Sequence, residues 1–167
     1  QMKALVARGM VEGALGLSAG LFYSPGSFAR TEEVIALAKV AAAYGGLYDV
    51  HLRDESSYTI GLTAAVEETI RIAEAAGIHA NISHIKALGA DVWGKSREVV
   101  RLIEAARARG ISVTADQYPY EASSTGLHAA LLPRWVFSDD PDYRDKLNDA
   151  RLLPKIKAGM AENLRRR

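Results

Sequence analysis

The sequence predicts an α/β chain of about four βα units, half of a (β/α)8 TIM barrel, followed by the start of a small helical insertion. Three observations carry this prediction. Apolar, strand-like segments end at Ser18, His51, His84 and Gln117, each 33 residues after the last. Amphipathic helical runs fill the intervals. The connection from strand end to helix is long in every unit, whereas the return from helix to strand takes only one to three residues. A repeat of this kind describes parallel strands with crossover helices, where ligand-binding groups gather at strand carboxyl ends.

The elements follow in order. Strands are expected over residues 13–18 (GALGLS), 47–51 (LYDVH), 79–84 (HANISH) and 111–117 (ISVTADQ), each with the concentrated apolar content of a buried parallel strand. Helices are expected over 31–44, 62–76 and 95–109. In these runs Val34, Leu37, Ala38 and Ala41, then Val66, Ile70 and Ala73, then Val99, Leu102, Ile103 and Ala106 recur at three- and four-residue steps. Each run therefore has one face for the sheet. Thr31 with Glu32 and Glu33 opens the first of these helices, placing acidic residues at its positive end, and Gly45-Gly46, Gly77 and Gly110 close the three. Residues 2–23 superficially resemble a signal peptide, but Arg8 and Glu12 break the apolar stretch and the glycines suit a strand and loop, so no export signal is expected.

Length limits the architecture. A closed eight-unit barrel takes about 250 residues, and this chain has 167. Residues 1–135 are therefore expected to form a partial barrel, with 136–167 as the polar helical insertion. A half-barrel leaves two sheet edges exposed, which points to completion by further chain or to a homo-oligomer. Apolar residues make up 49% and charged residues 25% of the chain, and the formal net charge is +1. That balance gives no electrostatic reason to expect nucleic acid, and no segment reads as a membrane span, so the expected partner is a small molecule. The absence of cysteine leaves no disulfide or thiolate ligand among these residues and fits a reducing, cytoplasmic setting.

His51 and His84 stand at the ends of adjacent strands. Parallel strands lie roughly 4.8 Å apart, so two imidazoles on the same face reach a shared divalent ion, and the equal spacing is taken to place them on that face. A single such histidine would read as a hydrogen-bonded core or loop residue. Two at equivalent ends read as metal ligands, with zinc the metal that suits the nitrogen donors. His79 begins its strand and is expected to be structural, and His128 at most touches substrate. Arg53, Asp54, Glu55, Lys86, Tyr118 and Tyr120 are residues suited to a carbonyl and a carboxylate. Their alternative is an Arg53–Asp54 loop salt bridge and a solvated Lys86.

Four blocks, GALGLSAGLFYSPGSFARTEEVIALAKVAAAYGGLY, VHLRDE, NISHIKALGADVWGK and TADQYPYEASSTGL, together resemble the N-acyl-D-amino-acid deacylases (D-aminoacylases) of the amidohydrolase superfamily. The resemblance reaches to about Trp135 and implies the central part of a zinc-dependent barrel that hydrolyses the amide of an N-acylated D-amino acid. It implies His51 and His84 as zinc ligands, Lys86 as the holder of the substrate carboxylate and Tyr118 as the group polarising the scissile carbonyl. Ser124 would add a substrate contact and Tyr23 would line the acyl or side-chain pocket; Arg53, two residues beyond His51, is expected from its position alone to hold an anionic substrate group. The family's early His-x-His pair, its bridging ligand and its catalytic aspartate fall outside these residues, so the isolated chain is expected to be inactive. The rival expectations are a dihydroorotase-like cyclic-amide hydrolase and a non-catalytic half-barrel that binds metal or ligand.

Overall fold

The computed structural model describes residues 1–138 and 143–166. Four strands, β1 (Gly16–Gly20), β2 (Leu47–His51), β3 (His79–Ile82) and β4 (Val113–Ala115), form one parallel sheet in sequence order. Between them run α2 (Thr31–Ala43), α3 (Leu62–Ala76) and α4 (Ser96–Ala108), close to the boundaries that the apolar spacing predicts. These helices cover one face of the sheet. Tyr48, Val50, Ala80, Ile82 and Val113 point into that layer and are fully buried with Ala38, Ala41, Val66 and Ala106. Gly77 caps α3 in the left-handed conformation at φ 62°, which a residue without Cβ adopts at no steric cost.

Two features at the start of the chain differ from expectation. Residues Met2–Val11 form a helix, α1, where the apolar spacing predicts none. It buries no residue fully, and only Val6 and Met10 pack on the core, so its apolar pattern is too sparse to announce a helix. The first strand is Gly16–Gly20 rather than 13–18, because Gly13 turns the chain at φ 104° before β1 begins. Gly16 then lies against β2 so closely that a Cβ would stand 2.1 Å from the Leu47 carbonyl oxygen.

The register corrects the even spacing. Gly20 pairs with His51, Val50 with Ile82, and Ile82 with Ala115, offsets of 31, 32 and 33 residues. Ser18 therefore sits beside Asp49, not His51. The uncovered face of the sheet carries a polar ladder: Asn81 Nδ2 donates to Asp49 Oδ1 at 2.9 Å and to Asp116 Oδ2 at 2.7 Å, and Ser83 and Thr114 extend it. His79 lies on this face, its Nδ1 2.7 Å from Ser112 Oγ.

Beyond β4 come α5 (Leu127–Leu131), α6 (Arg144–Asn148) and α7 (Leu153–Arg165). They gather a second apolar cluster around Leu132, Val136 and Ile156, with Trp135 packed against it. The division expected between 135 and 136 runs through this cluster, since Leu132 and Trp135 pack with Val136. Asp139, Asp140 and Asp142, part of the expected insertion, lie outside the described residues. No helix among the described residues is long and apolar enough to cross a membrane.

Candidate metal centre

His51 ends β2 on the same side as Asp49, opposite Tyr48 and Val50, so strand alternation alone turns it to the uncovered face. His84 arrives differently. With an offset of 32 between β2 and β3, the residue level with His51 is Ser83, and plain alternation would send His84 toward the helices. It is instead the sole non-glycine residue at positive φ among those described, at 39°. That turn brings its ring back to His51: the centroids are 4.6 Å apart and His51 Nδ1 is 3.0 Å from His84 Nε2. Holding a non-glycine residue there costs about 1–3 kcal/mol. The ladder supplies the restraint, for the His84 backbone N–H donates to Asp116 Oδ1 at 2.7 Å while Asn81 holds the other oxygen.

Glu55 completes the group. Its oxygens lie 3.7 Å from His51 Nε2 and 3.4 Å from His84 Nδ1, and the carboxylate is 4% exposed. The loop that places it is built on Asp54, fully buried, which accepts the backbone N–H groups of Ser56, Thr59 and Gly61. Burial first, then His84 and Lys86, lower the His51 imidazole to about 4, so it is neutral and able to ligate at neutral pH. Burial pushes the Glu55 carboxyl up, against the pull of Lys86 and His84.

The donor set fits zinc. His51 Nε2 is buried and has no hydrogen-bond partner, an arrangement that costs free energy unless something accepts its lone pair or proton. Ligand atoms of His51, Glu55 and His84 all lie within 4.8 Å of one another, and a two-nitrogen, one-carboxylate set is one that zinc accepts.

Most of the residues singled out in the sequence meet here. Tyr23, His51, Glu55, His84, Lys86, Tyr118 and Ser124 line one cleft of about 320 Å³. Lys86 is not solvated: its Nζ lies 2.5 Å from Glu55 Oε1 and 2.8 Å from His84 Nδ1, and its side chain is 15% exposed. The same ammonium stands 5.6 Å from the Tyr118 ring centroid. Burial and the Glu55 charge raise the Tyr118 phenol above its ordinary value. Arg53 is the exception. Its Nε and Nη2 grip Glu68 at 2.8 and 2.9 Å, its other bonds go to the Ser27 and Ala29 carbonyls, and it does not line the cleft. It is a clamp between α3 and the loop after β1, and its acidic partner is Glu68 rather than Asp54. His128 stacks on Tyr143, at 6.0 Å between centroids, beside a separate cavity. Glu55 is the member of this group that spacing did not rank as a metal ligand; its signal was its place four residues after His51 in HLRDE.

A parallel βα sheet with a His-Glu-His group at its strand carboxyl ends defines part of an amidohydrolase-type barrel. No protein-family model matches the chain. It is 44% identical over 126 residues to a D-aminoacylase of Alcaligenes xylosoxydans xylosoxydans, covering 75% of this chain and 25% of that protein. An N-acyl-D-glutamate deacylase of the same organism is 36% identical over 151 residues, 90% of this chain and 28% of the relative. Among solved structures, N-acyl-D-glutamate deacylase from Bordetella bronchiseptica, complexed with zinc and a phosphonate mimic of the tetrahedral intermediate, superimposes with TM-score 0.70 at 35% identity over 82% of this chain and 27% of its own. A D-hydantoinase at 12% identity and TM-score 0.54 shows the fold alone. Over three quarters or more of its length the chain is homologous to part of the N-acyl-D-amino-acid deacylases of the amidohydrolases. It spans about a quarter of the length of the curated relatives it matches.

Proposed function

We propose that the protein carrying this chain is a zinc-dependent deacylase of N-acyl-D-amino acids, and that these residues supply part of its metal centre and most of one wall of its substrate cleft. The convergence of His51, Glu55 and His84 around an unpartnered buried nitrogen carries the reading. The names of the relatives supply the substrate class. His51, His84 and Glu55 would hold the zinc. When bound, the metal supplies a Lewis acid that polarises an amide carbonyl and lowers the pKa of water.

The remaining residues bind and orient. Tyr118, with its phenol held protonated, donates a hydrogen bond to the scissile carbonyl oxygen. Lys86 offers its ammonium to the substrate carboxylate from the floor of the cleft, and its bond to Glu55 fixes where that charge stands. Ser124 and Tyr23 line the mouth. Four of the five Arg53 N–H donors are spent on Glu68 and the Ser27 and Ala29 carbonyls, so this reading gives Arg53 a positioning role. The proposal includes a cytoplasmic setting, consistent with a chain free of cysteine. It also includes edge strands β1 and β4 paired by further chain or by a second copy.

The test is zinc content together with deacylation of N-acetyl-D-amino acids by the full-length protein carrying this chain, against L-isomers and cyclic amides. The His51→Ala, His84→Ala double variant is expected to lose both zinc and turnover. Unchanged zinc in that variant, or hydrolysis confined to cyclic amides, overturns the reading.

A further inference from the structure

β3 and β4 leave the sheet side by side, and the segments that follow them carry different parts of the cleft. His84 and Lys86 come after β3, and Tyr118 comes after β4. The regular pairing of the two strands ends with Ile82 opposite Ala115, which puts Asp116 level with Ser83. In an unbroken parallel ladder the Asp116 carbonyl would then accept the His84 N–H. It accepts the Ile85 N–H instead, at 2.9 Å, although the Asp116 N–H still donates to the Ile82 carbonyl at 3.1 Å. His84 is therefore the extra residue of a bulge, a device that re-aims a side chain.

The N–H that the bulge sets free is taken by the side chain of the same aspartate, at 2.7 Å from Oδ1. Asp116 thus grips three points of the turn with three of its own groups: the Ile82 carbonyl, the His84 N–H and the Ile85 N–H. Its second carboxylate oxygen accepts from Asn81 Nδ2 at 2.7 Å, and Asn81 is held in turn by Asp49 and Thr114, so the carboxylate has no freedom to swing away. Tyr118 lies two residues further on. Among the described residues no backbone–backbone hydrogen bond involves residues 117–125, which makes Asp116 the last backbone anchor before that phenol. Across the gap, Lys86 Nζ touches both sides, 2.8 Å from His84 Nδ1 and 5.6 Å from the Tyr118 ring centroid.

We infer that Asp116 is a positioning residue for the reaction: its carboxylate sustains the bulge that aims His84 at the metal, and its backbone sets Tyr118 in register with His84 and Lys86. The inference rests on the deacylase reading for the role of Tyr118, and on geometry alone for the placement of His84. Without the carboxylate, the His84 N–H loses its acceptor, and the cheapest repair is the plain ladder in which the Asp116 carbonyl takes it. That repair turns the imidazole toward the helices and shifts Lys86 by one residue against Tyr118.

The test is made on the full-length protein carrying this chain. Asp116→Ala is expected to weaken zinc binding by about 10- to 100-fold in chelator competition. At saturating zinc its kcat on an N-acetyl-D-amino acid should stay about 10- to 100-fold low, because the phenol remains misplaced. Asp116→Asn keeps an oxygen for the His84 N–H and should fall between Asp116→Ala and wild type in both measurements. A fluorine resonance from 3-fluorotyrosine in place of Tyr118 should move or broaden in Asp116→Ala. An Asp116→Ala protein that is less stable but has wild-type zinc affinity shows a purely structural aspartate and overturns the inference. Full recovery of kcat by excess zinc, or a fluorine resonance that stays in place, overturns the link to Tyr118 and with it the inference. If Asp116→Ala does not fold, Asn81→Ala, which frees only the second carboxylate oxygen, carries the test: weakened zinc binding is expected, and unchanged binding overturns. If no N-acyl-D-amino acid is hydrolysed, the deacylase reading fails, and zinc affinity and the fluorine resonance still decide whether Asp116 places His84 and Tyr118.

Discussion

Replacing Arg53 by methionine decides whether this arginine serves substrate or fold. The Arg53–Glu68 contact is bidentate, 2.8 and 2.9 Å, with side chains 11% and 8% exposed. Removing the guanidinium leaves the Glu68 carboxylate buried with only the Thr31 hydroxyl, 2.7 Å away, and deprives the Ala29 carbonyl of its donor. Breaking one side of a buried pair costs about 3–5 kcal/mol, because the surviving charge is uncompensated. With a urea slope of about 2–3 kcal/mol/M, the unfolding midpoint should fall by about 1–2 M. Glu68→Met alone should cost a similar amount. The double variant should be less destabilised than the sum of the two by about 2–3 kcal/mol, since a pair of apolar side chains leaves no stranded charge. Urea unfolding of the three variants measures this cycle. Additivity within about 0.5 kcal/mol, or an Arg53→Met variant of unchanged stability with a raised KM, would refute the clamp and return Arg53 to the substrate.

Further outcomes follow from the same geometry. His84→Gly should be at least as stable as His84→Ala, reversing the usual cost of glycine, because φ 39° penalises any Cβ; thermal or urea unfolding of the metal-free protein ranks the two. Gly16→Ala should destabilise by more than about 3 kcal/mol, since its Cβ would meet the Leu47 carbonyl oxygen at 2.1 Å, and loss of sheet signal in circular dichroism reports it. Glu55→Gln should weaken zinc retention and also raise KM, because one carboxylate serves both the histidines and Lys86; a chelator competition that shows wild-type zinc affinity would exclude Glu55 as a ligand. In the metal-free protein His51 titrates at about 4 against an ordinary 6.5. The unfolded state takes up that proton first, so stability falls as pH drops from 6.5 toward 4, and His51→Leu should flatten that limb of the stability curve.

Local pattern made much of this protein legible. The three-and-four spacing in residues 31–44, 62–76 and 95–109 located three helices to within a residue or so, and the glycines after them marked their ends. Apolar content and long strand-to-helix loops were enough to place His51, His84, Lys86 and Tyr118 at one end of a parallel sheet. Those signals are carried by neighbours in the chain, so they can be read without a fold.

What remained hidden depends on residues distant in sequence. The equal 33-residue interval suggested a common face for the two histidines, yet the paired offset is 32, and His84 faces His51 only through a left-handed turn held by Asp116 and Asn81. Register is set by contacts between strands and by the packing of helices on them, neither of which leaves a periodic trace. For the same reason Glu55 emerged as the hub of the metal group only once the Asp54 loop had folded it back. Arg53 found Glu68, on a helix 15 residues away, instead of its neighbour. The residue types and their order along the chain were properties of the sequence, whereas which charges were spent inside the fold and which were left facing a cavity was decided by tertiary packing.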